Sequence, residues 1–107
     1  MTTPDRQGLT RLEEARRQTQ RQLERIDRQI TRRMTALIPT LKPKHLVYRG
    51  GKPPDPPAFL ERYRANLEAI TAERQPEIDA LSQQLTQQEQ AIARLRLEAA
   101  SRLERAA

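Results

Sequence analysis

The sequence predicts an all-α protein: an antiparallel two-helix coiled-coil hairpin with a basic tip, assembled with other chains into a helical bundle. Three observations carry this. Apolar residues recur at alternating steps of three and four along two long stretches, the spacing that keeps one stripe of a helix facing a partner. Between them lies the interval 39–57, PTLKPKHLVYRGGKPPDPP, which holds six of the eight Pro and two of the three Gly; no regular helix runs through such a segment. The composition is helix-forming but poor in core residues, with seventeen Arg and eleven Gln at 36% hydrophobic and 3% aromatic. Such an inventory fills a narrow seam between paired helices and not a wide globular core. The chain 1–107 therefore reads as one helical-hairpin domain, with a first arm over 5–37, a tip loop over 38–57 and a second arm over 58–105.

The first helix has two possible starts. Thr3-Pro4-Asp5 supplies a cap, a first-turn proline and an early acid, and Thr10-Arg11-Leu12-Glu13 fits a capping box. Gly8 between them favours fraying of the earlier turn. Leu9, Leu12, Leu23, Ile26, Ile30 and Leu37 then follow the 3-4 lattice, with Arg16, Thr19 and Arg33 in its remaining slots. Pro39 disfavours helical geometry at the residue before it, so the helix is expected to end near residues 36–38.

Asp55, Pro56 and Pro57 open the second helix, and Leu60, Tyr63, Leu67 and Ile70 start its stripe. After Ile70 the lattice runs through Arg74, Ile78, Leu81, Leu85, Gln88, Ile92, Leu95 and Ala99, so a stutter of four falls at Arg74 to Ile78. Pro76 lies inside that stutter. A mid-helix proline removes a hydrogen bond and crowds the preceding turn, which predicts a kink near Pro76, or a restart with Pro76 in a first turn. The expected seam sets Leu12, Leu23, Ile26, Ile30 and Leu37 against Leu60, Leu67, Ile70, Ile78 and Leu81.

The second arm outruns the first in this reading, leaving Leu95, Leu97 and Leu103 uncovered. Together with Ile92 they are the expected interface for a second copy of the chain or for a heteromeric helical partner.

Charge is localised. Residues 28–54 hold Arg28, Arg32, Arg33, Lys42, Lys44, Arg49 and Lys52 and no acid, while residues 1–27 carry six Arg against five acids and residues 55–107 seven Arg against nine, so +1, +7 and −2 make up the net +6. Seven cations in an acid-free stretch at the turn of a hairpin point to a polyanion, and Tyr48 adds a ring that stacks on a base or anchors a backbone contact. The expected binding set is Arg28, Arg32, Arg33, Lys42, Lys44, Tyr48, Arg49 and Lys52, with nucleic acid, a nucleoprotein or an acidic protein surface as partner. The row Arg17, Arg21, Arg25, Arg28 and Arg32 runs up one side of the first helix; its lower members are expected to flank the seam and pair with Glu68, Glu73 or Glu77.

No catalytic constellation is present in the sequence. The single His45 has no second ligand or partnered carboxylate nearby, and Gly50-Gly51-Lys52 lacks the spacing of a phosphate-binding loop. With no cysteine there are no disulfides or thiolate ligands, and the reading calls for no metal, cofactor or small-molecule substrate. A polar N-terminal stretch and the absence of any apolar window of ~18 residues predict a cytoplasmic chain without a transmembrane segment. The competing reading is a structural or assembly subunit of a virion or secretion-type machine, with the Pro-rich loop as a protein docking arm. A weaker third reading is attachment to anionic lipid, for which the tip has charge but few apolar anchors.

Overall fold

The computed structural model describes residues 3–41 and 56–106. These form two long α-helices, α1 (Thr3–Leu41) and α2 (Pro56–Ala106), packed against each other as a hairpin, with no strand among the described residues. The chain divides into two compact units, one made of Met1–Arg25 with Glu77–Ala107 and the other of Ile26–Pro76.

In the unit Ile26–Pro76, cross-helix hydrogen bonds set the register. Arg74 donates to Gln29 Oε1 at 2.7 Å, Arg33 to Glu73 at 2.7 Å, and Arg62 to the Leu41 carbonyl. Ile30 then stands level with Arg74, Met34 with Ile70, Leu37 with Leu67 and Leu41 with Tyr63. Burial follows that ladder: Ile26, Ile30, Met34, Leu41 and Ile70 are all buried. The seam therefore takes Met34, only 2% exposed, where the lattice predicts Arg33. The reason is a stutter on α1, Ile26-Ile30-Met34, in the same 4-4 spacing as Ile70-Arg74-Ile78 on α2. A phase change on one helix keeps its stripe facing the partner only if the partner shifts too. Leu60, expected in the seam, is 47% exposed, and Tyr63 provides the last layer instead.

α1 does not end before Pro39. It continues to Leu41 with Pro39 inside it. Three contacts offset the hydrogen bond that the proline removes. Thr40 Oγ1 donates to the Leu37 carbonyl at 2.6 Å. Leu41 buries its side chain, and the Arg62 guanidinium donates to the Leu41 carbonyl from Nε at 3.3 Å and from Nη2 at 3.0 Å. A cation on a last-turn carbonyl satisfies an orphan acceptor and complements the negative end of the helix dipole.

In the unit Met1–Arg25 with Glu77–Ala107, a Cβ placed on Gly8 would lie 4.0 Å from Leu95 Cδ1, and Arg96 donates to Glu13 at 2.8 Å. With Leu9 level with Leu95, equal 3-4 steps along both helices pair Leu12 with Ile92, Arg16 with Gln88, Thr19 with Leu85 and Leu23 with Leu81. Ile92 is the most deeply buried side chain at 1% exposure, and Thr19 at 2% sits in its predicted seam slot with its hydroxyl donated to the Ala15 carbonyl at 3.0 Å. That internal bond allows a hydroxyl inside an apolar stripe.

α2 runs through Pro76 as one helix of 51 residues, so it does not restart there. No described helix is long and apolar enough to cross a membrane.

Candidate polyanion-binding surface

The unit Ile26–Pro76 contains ten Lys and Arg against five Asp and Glu, a net +5, and the other unit contains ten against nine, a net +1; together they account for the +6 of the chain. Five of the six net positive charges thus fall in one compact unit.

Within it the described members of the predicted set behave differently. Arg28 and Arg32 are exposed on α1, one helical turn apart, about 6 Å along the axis, and neither has an ion-pair or hydrogen-bond partner among the described residues. Local sequence explains this for Arg32, which has no acid three or four residues away in either direction; Arg28 has Glu24 one turn before it, but the two side chains form no ion pair here.

Arg33 is not a free cation. It is committed across the seam to Glu73 at 2.7 Å, with side chains 49% and 58% exposed, and its hydrogen bond and charge hold the Glu73 carboxyl below the ordinary carboxylate value. Lys42, Lys44, Tyr48, Arg49 and Lys52 lie outside the described residues, as does His45.

Arg17 and Arg21 of the lower row pair within α1 and not, as expected, with α2. Arg17 donates to Glu14 Oε2 at 3.1 and 2.8 Å, and Arg21 approaches Glu14 Oε1 at 3.9 Å. Glu14 is held below its ordinary value chiefly by its hydrogen bond from Arg17, and exposure leaves burial little to oppose it. These pairs are local because Glu14 lies one turn below Arg17 on the same face of α1, whereas Arg33 meets Glu73 only through the register of the hairpin.

The residues expected to meet another chain are also rearranged. Ile92 is consumed by the seam and Leu95 is half-buried beside Gly8. The expected overhang is shorter than the arm lengths imply: α1 begins at Thr3, which the same register sets level with Ser101, so Ile92 and Leu95 are covered while Leu103 stands beyond the start of α1. At the other end Leu41 stands level with Tyr63, so residues 56–62 of α2 likewise run past the described end of α1. Leu97 at 69% and Leu103 at 74% are exposed, and Leu103 lines a groove with Arg6, Leu9, Leu95, Ala99 and Arg102. The groove exists because Arg6, Gln7 and Gly8 offer no large apolar side chain to the stripe of α2.

Phe59 and Tyr63, one turn apart at the start of α2, lie side by side with ring centroids 6.4 Å apart and planes tilted by 32°. Arg62, between them, carries no signal in the sequence, because its role depends on a carbonyl 21 residues earlier. A scan against protein-family models finds no match for this chain, and no curated protein or solved structure matches it.

Proposed function

We propose that this chain is a non-catalytic interaction protein whose unit Ile26–Pro76 grips a polyanion, with nucleic acid or a nucleoprotein as the partner class. The observation that supports this reading is the pair Arg28 and Arg32, exposed and unneutralised at the point where the acid-free stretch 28–54 begins. Charges that no neighbour neutralises can exchange their counterions for phosphates. Arg33 is left out of the binding set because taking a phosphate would break its bond to Glu73. The working set is Arg28, Arg32, Lys42, Lys44, Arg49 and Lys52, with Tyr48 as the stacking residue. Both described carboxyls with a resolved shift, Glu14 and Glu73, are exposed and held on the low side by arginine, opposite to the upward shift a general acid needs. Binding accounts for the same charges without asking for chemistry.

Phosphate contacts carry little sequence information, so affinity should vary little with base sequence. The test is a titration of single- and double-stranded nucleic acid across salt concentrations. Replacing Lys42, Lys44, Arg49 and Lys52 with Ser should weaken binding and flatten log K against log salt by up to ~0.9 for each phosphate that is no longer neutralised; Arg28→Ser with Arg32→Ser should do the same to a smaller extent. Arg17→Ser with Arg21→Ser, which removes cations already held by Glu14, should change the slope least. If the four-residue variant keeps its affinity and slope, the polyanion reading fails and the Pro-rich segment acts as a protein docking arm.

A further inference from the structure

The seam of the unit Met1–Arg25 with Glu77–Ala107 contains a feature that polyanion binding does not use. Four of its five layers contain leucine, and the fifth pairs Arg16 with Gln88. Gln88 is 91% buried, since 9% remains exposed, and its Oε1 has no hydrogen-bond partner; Arg16 Nε is likewise buried without one. A donor and an acceptor at the same level are thus both withdrawn from water. Leaving such groups unpaired costs stability, and leucine at both positions would not incur that cost. A further feature is the shallow cover that two helices give. Leu12, Leu23, Leu81, Leu85 and Leu95 are only half-buried, and a stack of leucine layers in that condition gains area by taking up more helices.

We propose that the Arg16–Gln88 layer restricts this seam to two helices by penalising its opening around a second copy of the chain. The asymmetry of Arg16 is the basis. As a residue it keeps partial contact with solvent although its Nε is buried, so in a two-helix seam its charge reaches water along the side chain's length. Enclosing the same layer within a four-helix bundle would bury the guanidinium with only neutral amides, and no acid, to partner it in that layer, and a buried charge without adequate partners is strongly unfavourable. A polar residue at one core position is an established way to set how many helices pair, at a cost in stability.

The experiment compares the full chain with an Arg16→Leu/Gln88→Leu variant by sedimentation equilibrium, with far-ultraviolet circular dichroism to verify helicity. The variant is expected to melt at a higher temperature and to sediment at no less than twice the mass of the unsubstituted chain at equal concentration. An Arg16→Lys/Gln88→Asn variant, which changes shape but keeps the layer polar, is expected to retain the unsubstituted mass. The proposal is overturned if the leucine variant sediments at the unsubstituted mass, or if the Lys/Asn variant associates as strongly as the leucine one, since packing and not polarity would then govern the assembly.

Discussion

Gly8 lies in the second turn of α1, half-buried, with helical residues on both sides. Sequence alone reads it as a weak point where the first turns fray. The structure adds that a Cβ there would stand 4.0 Å from Leu95 Cδ1, an ordinary van der Waals contact that no neighbour must move to accommodate. Gly8→Ala is therefore expected to stabilise the protein. Relative to alanine, glycine in a helix interior costs about 1 kcal/mol through the backbone freedom it loses on folding. One added carbon contact contributes only about 0.1–0.2 kcal/mol, and part of a methyl group removed from water adds a few tenths more. The backbone term decides the sign, and the total is about 1 to 1.5 kcal/mol.

For a chain of this size a stabilisation of 1 kcal/mol raises Tm by roughly 4 °C, so thermal unfolding followed at 222 nm should shift upward by about 4 to 6 °C. Urea unfolding should move its midpoint without changing its slope. Gln7→Ala, at an exposed helical position next door, gains only the small propensity difference of a few tenths of a kcal/mol and serves as the reference. An unchanged or lowered Tm for Gly8→Ala would refute the reasoning at a definite point. It would mean that residues 3–9 are not helical against α2 in solution, and the layer assignments that start from Leu9 and Leu95 would fall with it.

Two further outcomes follow from burial and charge. Ile92→Ala, at the most buried of the described positions, should cost about 2 to 4 kcal/mol by chemical denaturation, against less than about 0.5 kcal/mol for Leu103→Ala at 74% exposure; equal costs would place Ile92 outside the seam. The Glu14 and Glu73 carboxyls have folded pKa values below their ordinary 4.5. Their contribution is therefore present above pH 4.5 and is lost as pH falls through the lower folded value. Urea midpoints taken between about pH 6 and pH 3 should decline at the acid end, and the decline should be smaller in Arg33→Gln with Arg17→Gln, which removes the cations that depress those carboxyls. An undiminished decline would assign the acid sensitivity to other groups.

The hairpin is legible in the sequence because its causes are local and periodic. The 3-4 spacing marks both stripes, and the Pro and Gly of 39–57 mark the interval between them. What escapes depends on the register between the helices. Arg33 satisfies the lattice read along α1 alone, and it yields to Met34 only because α2 shifts phase at Ile70-Arg74-Ile78. Pro39 signals a helix end, but Leu41 is buried and its carbonyl is held by Arg62, so tertiary contacts carry α1 two residues further. The overhang expected for Leu95 comes from comparing arm lengths without a register: α1 runs from Thr3, the earlier of its two signalled starts, to Leu41, beyond its signalled end, and so covers Leu95 but not Leu103. In the candidate site the acid-free stretch is visible at once, but the separation of Arg33 from Arg28 and Arg32 is not, since Glu73 is 40 residues away in sequence.

That separation follows from where acids stop along α1. Below residue 28 the helix carries Asp5, Glu13, Glu14, Glu24 and Asp27 among its arginines, and Arg17 and Arg21 spend their charge on Glu14. From Arg28 to Leu41 the same helix has no acid, so, Glu24 below Arg28 aside, a neutralising partner among the described residues must come from α2. The seam supplies one, Glu73, and it takes Arg33, the only one of the three arginines that stands next to a seam residue. Arg28 and Arg32 lie farther from that line and keep their charge. The free cations are thus what remains once local pairing has run out of acids and the register has used its own. Such a remainder of charge is unfavourable to a folded helix, because Arg28 and Arg32 repel mildly at four residues apart. A bound polyanion would relieve that repulsion, and the salt dependence of nucleic-acid binding in Arg28→Ser with Arg32→Ser is the measurement that tests it.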